Sequence, residues 1–593
     1  MTSNDFSTIH VIDDRLKFWD KAQYAVKTGG QSITSVIFNA QSQSVNSHSF
    51  QIQVPSKDIV CDRRIMWSSS VVIKVVGVPK DGELLINMGQ SMALSPFPLH
   101  QLTTTMQCQI NSNSLSVNTR DILAPMLKIH DRPTLNSFNA TTPTHPDGAY
   151  YYYDDGYYGN GFPAQNNPLS DHMNSSLNND FVPRGSFVID AIGSIYDPAT
   201  NSVNTPQVAG DGGGAIRTSY IKFTVSEPLI CLSPWTFASE SSLGGLYGIT
   251  NLTFTFNMDA SNTCRALRWG SLNLRGDNKT NITDCQVMGY NSSSLTMTFI
   301  TPQSTQVLPS RCIVPYYECP RYITQCQEIP AGEVKQVVLN TIALNSIPDY
   351  LIIFCRKPIA QQRGYDSDSF LSVESISMNF NNNSGLLSGT PKNILYNISR
   401  QNNLNASWNE WNGRTFSNRT AVNAVGVKNC ITGGAPLILQ FGKDIQLPSY
   451  LCAGSLGNFN LQFTLGVLNQ ALEAIAPELV VITVNSGIFV SHSGTSSVFT
   501  GVLSRSDVLD ASQTTPLGHQ DVRRLIGNGF LDKLKSIGSD VFDFVKRVAP
   551  VLAPVAKNLL NSSGNSSAQT LGKVLGAVGY GDSGGSALRR HAR

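Results

Sequence analysis

Seven stretches of this chain alternate apolar and short polar residues with a period of two. Phe50, Ile52 and Val54 are separated by glutamines, and Met106, Cys108 and Ile110 follow the same rule. So do Ile221, Phe223 and Val225; Leu252, Phe254, Phe256 and Met258; Leu295, Met297 and Phe299; Ile376, Met378 and Phe380; and Phe459, Leu461, Phe463 and Leu465. Period two puts the apolar set on one face of a strand and Thr, Gln or Asn on the other. That pattern predicts antiparallel sheets with one face in a core. Turn-rich spacers such as Gly210–Gly214 and Asn381–Gly385 separate the strands, and no βαβ rhythm links them. The expected fold class is therefore all-β, a sandwich or jelly roll rather than a doubly wound sheet.

Composition agrees. Only 14% of the 593 residues are charged, against about 25% in an average soluble domain. Coiled coils, helical repeat arrays and disordered polyelectrolytes are all rich in charge and are excluded. A surface poor in charge suits a molecule whose neighbours cover much of it, because buried ion pairs cost desolvation. Two helical segments interrupt the strands. One is Asn118–Lys128; the other begins with Thr390 as N-cap and Pro391 at the first helical position. Each follows strands and precedes a loop, which reads as one arrangement used twice. The loop after the first helix, residues 129–183, is long enough to be interaction-bearing. It holds Tyr150, Tyr151, Tyr152, Tyr153, Tyr157 and Tyr158, candidates for an exposed or subunit-contact loop; the alternative is a loop ordered by packing on its own domain.

The charge is unevenly placed. Residues 529–593 carry +5 and the remainder −3, so the net +2 is a cancellation. Phe530, Leu534, Ile537, Val541 and Val545 form an apolar stripe at helical spacing within this basic tail, a candidate membrane or assembly helix. The N-terminal sequence has no basic-then-apolar leader, and no run of about 20 apolar residues occurs. The expected compartment is cytosol-like, or a particle released from it. Eleven cysteines without a CxxC pair read as reduced, buried thiols, including Cys312, Cys319 and Cys326, which are spaced seven apart.

Catalytic constellations are missing. The Gly581–Gly585 segment resembles a serine-protease nucleophile motif around Ser583, but no His base or scaffold accompanies it. The glycines at 210–214 lack the Gly-Lys-Ser/Thr of a phosphate cradle, and the nine histidines never form HxH or HExxH. Arg275, Gly276 and Asp277 make an adhesion-type tripeptide of low specificity. No enzymatic activity, cofactor or metal is expected.

The order of segments along the chain is more specific than any one of them. Phe97–Asn111 followed by Asn118–Asp121, then Asn166–Leu169 and Val182–Phe187, resembles the first half of major capsid proteins of virophages and Polinton-like viruses. Ile313–Tyr317, Asn345–Leu351, Gly385–Ser388, Ser407–Gly413, Phe441–Ile445 and Gly457–Leu461 resemble the second half. The resemblance implies a double jelly roll, two consecutive eight-stranded barrels. On that reading residues 1–44 are an N-terminal arm, 45–290 and 291–510 the barrels, and 511–593 the basic amphipathic tail. It further implies homotrimeric, pseudo-hexagonal capsomers that tile an icosahedral shell with penton and minor capsid proteins, after assembly in the host cytoplasm or nucleus. Leu525–Gly529 is similar to substrates of adenovirus-type maturation cysteine proteases, with cleavage between Asn528 and Gly529. The tail would then be a released assembly peptide, meeting an internal membrane or the genome. Ile431–Ala435 fits a related form of that pattern. The alternative reading is a β-sandwich glycan-binding or adhesion protein, with Trp408 and Trp411 as the sugar platform.

Overall fold

All seven alternating segments are strands in the computed structural model. In each, the apolar residues face inward: Phe50 and Ile52 are buried while Gln51 and Gln53 are exposed, and Met106, Cys108 and Ile110 repeat the pattern. The structure describes the strands Ser7–Val11 and Gln23–Thr28 and most of residues 32–501. Residues 80–84, 87–91, most of 131–149, 151–188, 205–215, 236–244, 260–264, 270–280, most of 302–310, 418–427, 449–450 and everything from 502 onward lie outside the described residues.

Two sandwiches follow each other along the chain. In the first, one sheet runs in the order Asn113–Val117, Thr103–Ile110, Asn251–Met258, Ser47–Gln53, Ser42–Gln43. The opposing sheet runs Ile189–Gly193, Arg217–Pro228, Met66–Val78, Asn281–Thr301, Ser32–Asn39. In the second, Cys312–Glu318, Glu478–His492, Tyr350–Arg356 and Leu437–Gln440 form one sheet. Val334–Val338, Leu456–Leu468, Ser372–Phe380 and Asn383–Leu386 form the other. Strand pairing is antiparallel in both barrels.

The barrel borders differ from those read in the sequence. Ser32–Asn39, placed in the arm, pairs with residues 294–301 as an edge strand of the first barrel. Asn281–Thr301 runs straight across residue 290. Its polar stretch, which imitates a turn, is absorbed by register shifts between Val287 and Gly289 and between Asn291 and Ser294. The junction of the barrels falls between Thr301 and Cys312.

Helices join the strands in places: α1 (Pro98–Gln101), α2 (Thr119–Leu127), α3 (Lys392–Gln401) and α4 (Trp408–Trp411). Asn118 flanks α2 but makes no side-chain cap bond, and eight of the nine residues of α2 are buried. A helix apolar on most sides has to be enclosed by protein, and α2 is enclosed by both barrels. In α3, Pro391 rather than Thr390 occupies the N-cap, a shift of one residue. In α4, Ser407 and Glu410 form a reciprocal capping box that fixes the first turn.

Candidate functional site at the seam between the barrels

For a protein built from two like barrels, the decisive geometry is how one is held against the other. The apolar part of the seam is shared. Ile122, Leu123, Met126 and Leu127 of α2, with Phe97 and Ile230, belong to the same buried cluster as Leu351, Phe354 and Trp411 of the second barrel. Reciprocally, Cys312, Val314, Tyr316 and Phe489 enter the core of the first barrel. Each core thus borrows side chains from the other, so separating the barrels exposes apolar surface from both.

Polar contacts set the register. The Lys128 Nζ reaches Glu410 Oε1 at 2.8 Å, and the other carboxylate oxygen of Glu410 closes the capping box of α4. Asn405 donates its backbone N–H to the Lys128 carbonyl at 2.7 Å and its side-chain amide to the His130 carbonyl at 2.9 Å. The Asn111 amide donates to the carbonyls of Gly248 and Thr495, one in each barrel. The main-chain N–H of Trp269 donates to the Gly364 carbonyl at 3.0 Å, and a Cβ on Gly364 would lie 2.0 Å from the indole ring of Trp269. Only glycine permits that approach.

The ionic centre of the seam is Asp121, in the first turn of α2. It is 1% exposed and accepts from both Arg321 and Arg356 of the second barrel. Arg356, itself buried, also donates through Nε to Glu478 Oε1 at 2.6 Å. Beside it Arg120 pairs with Asp259. An acid in the first turn favours the helix dipole as well.

The seam also encloses a cavity of about 20 Å³ lined by Val117, Cys231, Ser233, Tyr317 and Cys319. That is room for one water, far below the ~300 Å³ of a small-molecule site. Burial pushes the Cys319 thiol up to about 12 and the Cys231 thiol higher still, so both stay protonated. Among the described residues no three metal-ligating side chains converge.

The structure places several residues singled out in the sequence. Tyr150 is a correction: it is completely buried, its N–H bonded to the Ile431 carbonyl and its carbonyl to Ser367 N–H, so it is core rather than contact surface. Tyr151, Tyr152, Tyr153, Tyr157 and Tyr158 lie outside the described residues, as do Arg275–Asp277, Asn528, Gly529, the stripe from Phe530 to Val545, and Ser583. Gly433, Gly434 and Ala435 are buried, which closes the Ile431–Ala435 segment to a protease. Trp411 is buried and Trp408 is partly exposed, so the two rings do not present a joint sugar platform. Sequence reasoning missed the seam residues Asp121, Lys128, Arg356 and Glu410.

Two consecutive antiparallel sandwiches sharing their cores make a double jelly roll. A model for the first domain of the Sputnik virophage major capsid protein matches residues 4–301, and one for the C-terminal domain of the V20 major capsid protein matches residues 319–487. The chain belongs to the Sputnik-type virophage major capsid protein family. The putative capsid protein V20 of Sputnik virophage is 27% identical over 97% of this chain and 94% of its own length, an overlap too long to leave out the tail. The cryo-EM structure of the Sputnik virophage superposes with a TM-score of 0.70 at 24% identity, over 87% of this chain and 97% of that one. The crystal structure of the mavirus major capsid protein gives 0.63 at 12% identity, over 82% and 93%. The chain is a virion shell component, and the family is one of structural proteins rather than enzymes.

Proposed function

We propose that three copies of this chain assemble into a pseudo-hexagonal capsomer, six barrels around a threefold axis, and that these capsomers tile an icosahedral shell. The carrying observation is the seam: two barrels locked by shared cores and buried ion pairs behave as one rigid block, which a lattice of fixed angles requires. A ring of two-barrel chains joins the first barrel of one copy to the second barrel of the next, a head-to-tail contact that closes. Each barrel offers a fitting edge. Ile33 and Ile37 are both 65% exposed on the edge strand Ser32–Asn39, and Val334 and Val338 are 52% and 53% exposed on the edge strand Val334–Val338. Outward β-branched residues on an open edge invite pairing with another chain. Size-exclusion sizing and negative-stain imaging of the purified protein should give trimers with a hexagonal outline; a stable monomer overturns the proposal.

The tail has a role of its own in this proposal. Its +5 charge and apolar stripe from Phe530 to Val545 suit an assembly helix directed at an internal membrane or the genome, and Leu525–Gly529 suits its release by a viral cysteine protease. Penton and minor capsid proteins are the further partners of such a lattice, and assembly takes place in the host cytoplasm or nucleus. Protein taken from purified particles should have the mass of residues 1–528. A full-length mass in mature particles removes the cleavage.

A further inference from the structure

Guanidinium groups gather where α2 meets the second barrel. Arg321, Arg356 and Arg120 each have a carboxylate against them. Arg265 differs. It is 5% exposed; among the described residues its Nη2 donates to the main-chain oxygen of Arg120 at 3.1 Å, and its Nη1 is shielded from solvent without an acceptor. The Nε of Arg120 is shielded and without an acceptor in the same way. Two unpaired cationic donors thus lie on side chains of contacting residues, next to the N-terminus of a nine-residue helix whose N-cap makes no side-chain bond. A buried charged donor without an acceptor is costly.

The surroundings make the deficit one of charge as well as of hydrogen bonds. Burial depresses Arg265 most, followed by the cations Arg356 and Arg120; Asp368 opposes them, and Arg268 adds a weaker push. Together they hold the guanidinium down to about 9. Arg120 and Arg265 belong to the first barrel and Arg356 to the second. The repulsion therefore acts across the seam that Asp121 holds closed.

We propose that a monovalent, halide-sized anion binds at the Arg265 guanidinium, taking the Nη1 donor of Arg265 and the Nε donor of Arg120, and locks the barrels together. An anion opposes the repulsion that Arg356 and Arg120 exert on Arg265, and a monatomic ion needs the least space in a packed interior. The site couples anion binding to seam stability, because the folded joint binds the ion and the separated barrels do not. It rests on the seam within one chain and is independent of the capsomer reading.

The test is thermal unfolding of the full chain at fixed ionic strength with sodium gluconate exchanged for sodium chloride. Wild type should show a saturable rise in Tm of about 2–4 °C. Arg265→Met should show no rise, and in gluconate it should melt no lower than wild type, because an uncompensated buried charge has been removed. Should that variant not fold, Arg265→Gln serves, since it keeps a donor for the Arg120 carbonyl and loses the charge. Crystals grown in bromide should show an anomalous peak beside Arg265. Equal Tm in both salts for wild type, an unchanged chloride response in the variant, or no bromide at Arg265 overturns the proposal.

Discussion

Asp121→Ala should lower the free energy of unfolding by about 3–5 kcal/mol, the cost of stranding a buried charge. The carboxylate is 1% exposed and holds Arg321 and Arg356 together. Without it, Arg356 keeps Glu478 alone, and its Nη2 is left buried against an apolar helix. Arg321 behaves differently, because it is 34% exposed and turns to water when its partner is lost. Arg321→Ala should accordingly cost less than about 1 kcal/mol. Denaturant midpoints at constant slope measure both. Equal losses in the two variants would show that the buried Arg356 pairing is not what makes Asp121 important. The asymmetry also states what the seam does: the interior half of the ion network holds the joint, and the solvent-facing half contributes little.

The sheets were legible because a strand with one face in a core writes its geometry into alternate residues. The seven period-two segments needed no partner to be recognised, and their apolar sides are where the alternation puts them. The seam was not legible, because its pairs are remote. Asp121 reads as an ordinary first-turn acid, while its partners lie 200 and 235 residues further along. The one local signal was α2 itself, too apolar all round to be a surface helix. Lys128 reads as a C-terminal helix cation, and only the fold brings it to the capping box of α4, 282 residues away. Tyr150 misled for a related reason. It opens a run of tyrosines that reads as surface, yet backbone bonds to Ile431 and Ser367 draw it into the second barrel. Ser32–Asn39 escaped because it is apolar on both faces: Val36 and Phe38 pack inward, and Ile33 and Ile37 point outward. A strand with apolar residues on both faces loses the alternation that would reveal it.

The second large effect is acid sensitivity centred on His48. This ring has no solvent exposure and sits edge-on to Trp67 and Tyr290. Its Nδ1 is 3.0 Å from Ser293 Oγ, which also accepts from the Trp67 indole N–H at 3.0 Å. Burial disfavours the imidazolium and, against a weaker opposing bond from Ser44, pulls the pKa from 6.5 down to about 4. The unfolded chain therefore binds more protons than the folded one between pH 6.5 and 4, and stability falls as pH falls through that window. At about 1.36 kcal/mol per pH unit, the loss comes to about 3 kcal/mol, complete near pH 4 and absent above pH 6.5. Burial raises the Asp366 and Asp444 carboxyls, which act in the opposite direction. The discriminating measurement is thus a difference between two chains. Wild type and His48→Gln are unfolded in denaturant at a series of pH values from about 7.5 to about 4. The variant starts lower at neutral pH, because the ring no longer packs on Trp67, but its curve should be flatter by about 3 kcal/mol across the window. Parallel curves would mean that His48 carries its proton inside the fold. The neutral imidazole would then not be what ties the Ser293–Trp67 bond to the first barrel's core.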